Sequence, residues 1–380
     1  GLKKYPAPPT IDINRGLFLH MNITVVKVGT NAILTDVGEI DDAVLSNLSR
    51  GVAELQRSGQ HVAFVCSGSV GLGRKEFDAT QLGRVSKTEL AQIRSAVGQP
   101  QLMQRLREEF AQYGIVVAQG LVTRSDFASR ERQLAMRTIL EKMFVGGILP
   151  VLNENDFLTP EELDFSDNDQ VASFVAGMLC ADRLILLSNV RGLYTGNPNN
   201  PDARLLHQVD AITPEVESYV QSEKSTFGLG GMQSKINSAK VLNQIGIEMV
   251  LASSREPDVL QKIVRGEEVG TRFVPSQTKK KAGIRVWLAA GAAESGAITV
   301  DAPLAKLLQQ KRSGVSILGV GVKAVRGEFE EGNAIAIMTE AGEQIGRGIA
   351  YDDAEWMRQC LDAGTTKGRI FVHTDSVYIL

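Results

Sequence analysis

The sequence is poor in cysteine and has no long apolar run. Its three cysteines, Cys66, Cys180 and Cys360, are too few and too scattered for a disulfide framework or a zinc site. Apolar runs such as Val62–Cys66 fall far short of the roughly 20 residues that a membrane-spanning helix needs. Residues 1–20 contain no apolar segment typical of a secretion signal, and we interpret them as a terminal extension or a cloning remnant. Together these features predict a cytoplasmic protein.

The chain also lacks an excess of either charge. It has 41 Lys and Arg against 44 Asp and Glu, and 43% of its residues are hydrophobic. This ordinary globular composition excludes a disordered, collagen-like or coiled-coil chain. The balance of charge gives no sign of a polyanion-binding surface over the whole chain. A length of 380 residues favours two or three domains.

Short apolar strands alternate with helical patterns between residues 21 and 275. The predicted strands are Ile23–Val28, Val62–Cys66, Ile115–Val117, Ile148–Leu152, Leu184–Leu187 and Met249–Ala252. The longest helical pattern, Thr88–Tyr113, contains a predicted interruption at Gly98–Pro100. This alternation predicts an α/β fold with an open, mostly parallel sheet that is covered by helices on both faces. Such sheets bind ligands beyond the carboxyl ends of their strands.

The alternation of apolar strands and long helical patterns ends at about residue 275. Residues 276–281 are polar and basic, which is typical of a linker. Residues 282–380 contain short apolar runs separated by glycines, and Ala302–Gln310 is the one obvious helical pattern among them. We expect a small, mostly β domain there.

Three glycine-containing segments follow predicted strands or precede a predicted helix: Lys27–Asn31, Cys66–Gly73 and Gly228–Lys235. Small residues at such places let backbone N–H groups approach a phosphate, and a helix N-terminus favours an anion. Each segment also has a purely structural interpretation, as a lysine before a turn, a tight glycine turn or a surface loop. We find neither the P-loop pattern nor the third glycine of the dinucleotide fingerprint.

Two clusters of acidic and amide residues complete the candidate site. Asn153–Asp156 comes directly after a predicted strand, and Ser166–Asp169 opens the predicted helix Gln170–Leu179. A turn or an N-cap explains part of each cluster, but one capping residue is enough for a helix. We therefore expect these groups to bind a substrate amine or to position lysines and Mg²⁺. Lysines, glycine-rich loops and carboxylates are the groups that phosphoryl transfer requires, and none of the four histidines lies in these segments.

The ordered motifs resemble the amino acid kinase family from about residue 23 to 275. They read VVKVGTN, CSGSVGLGR, VGQPQLMQ, LVTR, LPVLNENDF, SDNDQ, RGLYTGNP and GLGGMQSK. The segment from about Gly283 to Leu361 is similar to a PUA domain. Within the family, the resemblance is closest to members that phosphorylate the γ-carboxylate of L-glutamate with ATP. Their product, γ-glutamyl phosphate, begins proline biosynthesis.

The resemblance implies a role for individual residues of this chain. Lys27, Lys235 and Asp169 match catalytic positions, and Ser67, Asp156 and Asn168 match glutamate-binding positions. The implied nucleotide-binding residues are Lys27, Gly29, Ser188, Asn189, Leu229, Gly230, Gly231, Met232, Gln233, Ser234 and Lys235. No residue is expected to ligate a metal directly, because nucleotide phosphates and water would hold most of the Mg²⁺ shell.

Two departures from the family pattern stand near these positions. Ser188–Asn189 replaces a common Thr-Asp pair, which removes one charge at a nucleotide contact. Ser67–Gly68–Ser69 replaces a common Ser-Gly-Ala, which we interpret as a tolerable change. The resemblance also implies a homo-oligomer, either a dimer or a tetramer, and feedback inhibition by proline. The candidate proline-binding loop is Phe157–Ser166.

Two alternatives stay open at the level of sequence. The chain could act on another small substrate, like an aspartokinase, an acetylglutamate kinase or a carbamate kinase. It could also be an RNA-binding protein that acts through its PUA-like domain. Residues 282–380 carry ten Lys and Arg against twelve Asp and Glu, which argues against a nucleic-acid partner.

Overall fold

The computed structural model describes residues 21–77, 79–127, 130–158, 168–221, 231–275, 288, 294–311 and 315–380. The strands up to residue 275 are β1 (Ile23–Val28), β2 (His61–Cys66), β3 (Val116–Val122), β4 (Ile148–Glu154), β5 (Arg183–Ser188), β6 (Gln208–Val209), β7 (Glu248–Ser253) and β8 (Thr271–Phe273). The α-helices of this part are α1 (Thr30–Ile33), α2 (Asp42–Arg57), α3 (Ser69–Gly73), α4 (Lys87–Ala111), α5 (Arg130–Val145), α6 (Asn168–Leu179), α7 (Pro214–Gln221), α8 (Met232–Gln244) and α9 (Val259–Val264).

These strands form one eight-stranded sheet in the order β3-β4-β2-β1-β5-β7-β8-β6. The first six strands pair in parallel, whereas β8 runs antiparallel to β7. The predicted open and mostly parallel sheet is therefore confirmed. β1 lies near the middle of the sheet, between β2 and β5, so the residues that follow it occupy the centre of the carboxyl edge.

Helices cover both faces of this sheet, as predicted. Val25 of β1 belongs to a hydrophobic core that includes side chains of α6 and α8. Val26 and Val28 belong to a second core that includes side chains of α2 and α4. Because successive strand residues point to opposite faces, Lys27 shares the face of Val25. The sequence of β1 thus directs one lysine toward the side of the sheet where α6 and α8 begin.

Helix α4 is continuous, so the interruption predicted at Gly98–Pro100 is wrong. A capping box between Ser86 and Glu89 starts the helix, and its 25 residues run through Pro100. A proline removes only one hydrogen bond of the ladder, which a long packed helix tolerates. Gly98 serves a close contact instead of a break, because a Cβ atom there would lie 2.0 Å from the carbonyl oxygen of Ser69.

The C-terminal residues form a second, six-stranded sheet. Its strands are β9 (Gly296–Val300), β10 (Ile317–Leu318), β11 (Val322–Gly327), β12 (Ala334–Thr339), β13 (Gln344–Ala350) and β14 (Ile370–Ile379), in the order β10-β14-β13-β12-β9-β11. Among the described residues of this part, two α-helices accompany the sheet, α10 (Ala302–Lys311) and α11 (Ala354–Asp362). The mostly β prediction is confirmed, but the sequence analysis missed α11. Its N-cap Asp353, which accepts from the backbone N–H of Trp356 at 2.7 Å, was the available signal.

The second sheet packs against helix α8 of the first part. The hydroxyl of Tyr378 in β14 donates to Oε1 of Gln244, the last residue of α8. Buried side chains of Leu288, Ala334 and Ile349 belong to the same hydrophobic cluster as the core around α6 and α8. The predicted linker 276–281 and the extension 1–20 lie outside the described residues, and the domain bounds stay a prediction. No helix in the described ranges is long and apolar enough to cross a membrane.

Candidate active site

Two lysines and one aspartate meet beyond the middle of the first sheet. Nζ of Lys27 lies 2.5 Å from Oδ1 of Asp169, and Nζ of Lys235 lies 2.7 Å from Oδ2 of the same carboxylate. Lys27 comes from β1, Asp169 from the first turn of α6 and Lys235 from the first turn of α8. The structure therefore brings together all three residues that the sequence analysis assigns to catalysis.

Burial and charge compete at Asp169, which is fully shielded from solvent. Burial alone would raise the pKa of Asp169, but the ammonium groups of Lys27 and Lys235 outweigh burial and hold it below its usual range. Two ammonium groups around one carboxylate leave one net positive charge in this cluster. An anion such as a phosphoryl group would find there both charge and two N–H donors.

Two glycines lie close to the lysines of this cluster. Gly29 follows β1, and its backbone N–H donates to the carbonyl of Leu187 at 3.2 Å. A Cβ atom at this position would lie 3.4 Å from Nζ of Lys27, at an ordinary contact distance, so Gly29 directly adjoins the ammonium group. Gly231 is the N-cap residue of α8 and has no side chain to occupy the helix N-terminus. The N-terminus of α8, next to Lys235, therefore suits a bound phosphate.

A second cluster, built from amides and a hydroxyl, adjoins the first. Nδ2 of Asn168 donates to Oγ of Ser67 at 2.7 Å and to Oδ1 of Asn153 at 3.1 Å. Oδ1 of Asn168 is buried and accepts no hydrogen bond from the described residues. A buried acceptor of this kind is costly unless a ligand satisfies it. Since Asn168 immediately precedes Asp169, one turn of α6 contributes to both clusters.

Asp156 lies beside these amides and interacts with hydroxyl groups. Oγ of Ser95 donates to Oδ2 of Asp156 at 2.5 Å, and Oγ of Ser69 lies 3.4 Å from the same oxygen. Burial raises the pKa of Asp156, and the hydrogen bonds from Ser95 and Ser69 oppose that rise. Ser67, Asn168 and Asp156, the three predicted substrate-binding residues, are thus part of one polar region.

The sequence analysis missed two polar side chains of α4. Ser95 contacts Asp156, and Oε1 of Gln99 accepts from Nδ2 of Asn153 at 2.8 Å. Both side chains are buried, although they lie in the middle of a long helix. The VGQPQLMQ motif contains Gln99, but it carried no assigned role. Asn153 belongs to the predicted polar cluster Asn153–Asp156, but no feature of the sequence assigns it a role of its own.

The predicted nucleotide-binding residues are only partly described. Ser188 ends β5, which pairs with β1, and its Oγ donates to Oδ1 of Asn189 at 3.2 Å. Met232, Gln233 and Ser234 form the first turn of α8, next to Lys235. Leu229 and Gly230 lie outside the described residues, as do residues 159–166 of the candidate proline loop.

Comparison with known proteins matches this arrangement. A model of the amino acid kinase family matches residues 22–253, and a model of the PUA domain matches residues 296–366. The chain belongs to the amino acid kinase family. Glutamate 5-kinase of Desulfotalea psychrophila is 38% identical to this amino acid kinase over 343 residues, which cover 89% of each chain. Glutamate 5-kinase of Chlorobaculum tepidum is 36% identical over 357 residues, 94% of this chain and 97% of the relative.

A solved structure that matches this chain is less similar to it than these sequence relatives are. An isopentenyl phosphate kinase aligns with 67% of this amino acid kinase and all of its own chain, at 20% identity and a TM-score of 0.46, which is too low to carry an argument. The assignment to the amino acid kinase family therefore rests on the family model and on the sequence relatives.

Proposed function

We propose that this amino acid kinase transfers the γ-phosphoryl group of ATP to the γ-carboxylate of L-glutamate, and so begins proline biosynthesis. The observation that carries the proposal is the first turn of α6. There Asn168 contributes to the amide cluster while the next residue, Asp169, binds both lysines. An amino-acid site and a phosphoryl site are thereby fixed at adjacent residues. The names of the relatives, glutamate 5-kinases, supply the substrate.

The polar cluster supports recognition of the amino-acid end. Asp156 offers a carboxylate and Asn168 an unsatisfied carbonyl oxygen, and both groups suit the α-ammonium group of glutamate. Fixing this end would direct the side-chain carboxylate toward the lysines. Because the attacking group is already a carboxylate at neutral pH, the reaction needs no strong general base.

The lysine cluster supports the transfer step. Lys27 and Lys235 would donate to the oxygens of the moving phosphoryl group and stabilise its charge as the bond to ADP lengthens. The negative charge of Asp169 would offset the repulsion between the two ammonium groups and so hold them close together. It touches no reacting atom in this scheme, so we assign it a positioning role.

The donor set fits a magnesium ion that enters with the nucleotide. Within the part of the chain that the structure describes, no group of three His, Cys, Asp or Glu side chains is placed to hold a metal. The buried carboxylate of Asp169 is engaged by two lysines. We propose that phosphate oxygens and water hold the ion, which is a common arrangement for Mg²⁺. When bound, Mg²⁺ would neutralise charge on the β- and γ-phosphates.

Trapping of an acyl phosphate tests the proposal. Purified protein, ATP and Mg²⁺ are incubated with hydroxylamine and with L-glutamate, L-aspartate, N-acetyl-L-glutamate or no substrate, and hydroxamate is measured. We expect hydroxamate with L-glutamate alone. Lys235→Met should abolish it, whereas the matched control Lys240→Met on the same helix, which pairs with Glu217, should retain it. Hydroxamate from another carboxylate would refute the substrate, and none at all from protein that binds ATP would refute the reaction.

We also propose that the protein is a homo-oligomer. Strand β3 is an edge strand of the first sheet, and Val116 and Leu121 on it are exposed. Leu134 and Ile139 of the neighbouring α5 are exposed as well. Apolar side chains along an open edge favour burial by a second copy. Light scattering should give at least twice the mass of 41.1 kDa, and a monomer at micromolar concentration would contradict this proposal.

Inhibition by proline and a cytoplasmic location stay predictions. Residues 159–166 of the candidate proline loop lie outside the described residues. Proline titration in the hydroxamate assay, with L-glutamate near its KM, would test the first prediction directly.

A further inference from the structure

Helices α3 and α4 touch backbone to backbone beside the polar cluster. A Cβ atom at Gly73 would lie 1.9 Å from the carbonyl oxygen of Arg94, and a Cβ atom at Gly98 would lie 2.0 Å from that of Ser69. Only glycine at both positions allows this approach. The contact fixes Ser95, which follows Arg94 on α4, against Ser69, the first residue of α3.

The two serines form a short hydrogen-bonded chain with Asp156. Oγ of Ser95 lies 2.5 Å from Oδ2 of Asp156 and 3.0 Å from Oγ of Ser69. Nδ2 of Asn153 approaches Oγ of Ser69 at 3.5 Å. Since each hydroxyl carries one proton, Ser95 gives its proton to the carboxylate, which is by far its shortest contact. Both hydrogen bonds that the described residues make to Asp156 therefore go to Oδ2, and none goes to Oδ1.

We propose that Ser95, supported by Ser69, is a positioning residue that holds Oδ2 of Asp156 and so turns Oδ1 toward the ammonium group of the substrate. The inference rests on the proposed function, because it takes the substrate to be an amino acid bound through Asp156. A carboxylate is planar, so fixing one oxygen fixes the direction of the other.

The same hydrogen bonds have an electrostatic effect that an experiment can isolate. Burial raises the pKa of Asp156, and the donated hydrogen bonds from Ser95 and Ser69 lower it in opposition. Removing the Ser95 hydroxyl leaves burial less opposed, so Asp156 would take up a proton at a higher pH. A protonated Asp156 attracts an ammonium group poorly. Loss of Ser95 should then weaken L-glutamate most strongly on the acid side of the pH range.

The test compares Ser95→Ala with the wild-type enzyme in the hydroxamate assay. We expect the KM for L-glutamate to rise at least about tenfold, as for the loss of a hydrogen bond to a charged group. The KM for ATP should stay within about twofold of wild type, and the acid limb of kcat/KM for L-glutamate should move to higher pH. Ser69→Ala should give the same changes at smaller size, because its contact with Asp156 is longer.

Two further variants separate positioning from folding. Ser95→Thr keeps the hydroxyl and should restore both the KM and the pH profile, even if packing is disturbed. Ser49→Ala removes a buried serine hydroxyl from α2, where it contacts Glu109, and should change neither. If Ser95→Ala fails to fold, Ser95→Cys, with its weak donor, should show the raised KM and the shifted acid limb.

The inference and the proposed function can fail separately. A wild-type enzyme that forms hydroxamate from L-glutamate, together with a Ser95→Ala enzyme of unchanged KM and pH profile, would overturn the positioning role alone. Loss of thermal stability in Ser95→Ala or Ser95→Cys without a change in KM would also overturn it. A wild-type enzyme inactive toward L-glutamate would overturn the proposed function, and the inference with it.

Discussion

Asp169 in one half of the site is fully buried and Asp156 in the other half is partly buried, and their surroundings shift the two pKa values in opposite directions. Asp169 lies between two ammonium groups, which hold its pKa below the usual range in spite of burial. The donors to Asp156 among the described residues are the hydroxyls of Ser95 and Ser69, and burial raises its pKa in spite of them. Hydroxyl groups therefore compensate for lost water less well than cations do. One half contains a carboxylate between two lysines, and the other contains a carboxylate that pairs with no cation of the described residues.

This contrast matches the division of labour that we propose. A carboxylate already paired with cations has little left to offer a ligand, so Asp169 serves to organise the lysines. A carboxylate without a cation gains most from an incoming ammonium group, so Asp156 serves to bind one. Environments that push two carboxylates apart in pKa are typical of sites with distinct roles.

The largest expected effect comes from removing the charge pair. Asp169→Asn leaves Lys27 and Lys235 buried without their carboxylate. We expect a loss of about 3–5 kcal/mol in the free energy of unfolding, as for other broken buried ion pairs. Turnover should fall by at least about 10³-fold, because the phosphoryl-binding groups lose their arrangement. Urea unfolding and the hydroxamate assay measure the two effects.

An exposed ion pair provides the control for Asp169→Asn. Asp258→Asn breaks the exposed pair with Arg50 and should cost less than about 1 kcal/mol. If Asp169→Asn retained stability and turnover, the two halves would not differ in the way described.

Because the pKa of Asp169 is lowered in the folded protein, the stability that Asp169 contributes is present above the unfolded pKa and is lost as the pH falls through the folded value.

The next largest effect concerns the half that lacks a cation. Asp156→Asn should raise the KM for L-glutamate about 10- to 100-fold, because a charge-assisted hydrogen bond is lost. The pH profile should also change. With a raised pKa, Asp156 is protonated as the pH falls at a point where an ordinary aspartate is still ionised, so kcat/KM for L-glutamate drops early on the acid side in the wild type. That early drop should be absent in Asp156→Asn.

The matched measurement for Asp156 is the pH profile for ATP. Asp156 binds no nucleotide in our scheme, so kcat/KM for ATP at saturating L-glutamate should lack the early acid-side drop in both enzymes. An identical acid limb for both substrates would show that some other group titrates.

The smallest expected effect concerns the backbone that supports Asp156. Gly98→Ala would place its Cβ atom 2.0 Å from the carbonyl oxygen of Ser69, which forces α3 and α4 apart. We expect about 1–3 kcal/mol of destabilisation, as for other overpacked sites, and a few-fold rise in the KM for L-glutamate. Gly196→Ala, at a glycine with no atom near its Cβ position, is the control. Equal melting temperatures for the two variants would contradict the proposed tight contact.

Much of the first sheet could be predicted because its strands are short continuous apolar runs. Lys27, Ser67 and Asp156 lie at the ends of such runs, so the carboxyl-end rule assigns them to one edge from the sequence alone. Helix α4 was harder, because Gly98 and Pro100 are local break signals whose meaning depends on a partner helix. Polar residues of α4 such as Ser95 were missed for the same reason, since nothing local distinguishes a buried polar residue from an exposed one in an amphipathic helix.

Helix α11 was missed although a helical pattern was present. Trp356, Met357, Cys360 and Leu361 recur at helical spacing after the N-cap Asp353. Nine residues make only about two and a half turns, so this pattern is easily overlooked among short strands.

The residue pattern alone predicted that the Ser166–Asp169 cluster binds an amine or positions lysines and Mg²⁺, but it did not identify Lys27 and Lys235 as the partners of Asp169. No spacing rule connects residues 27, 169 and 235, because their proximity depends on the order of strands and helices in the finished fold.

Helix α8 has a consequence for the modularity of the chain. Its 13 residues span about 20 Å, with Lys235 in the first turn and Gln244, the partner of Tyr378, at the last residue. The C-terminal part shares a buried hydrophobic cluster with this helix, so the two parts do not have separate cores there. A variant in which another PUA domain replaces this part would lose the contacts at the C-terminal end of α8, the helix that carries Lys235. Exchange of this C-terminal part between such enzymes would therefore have to preserve its contacts with α8.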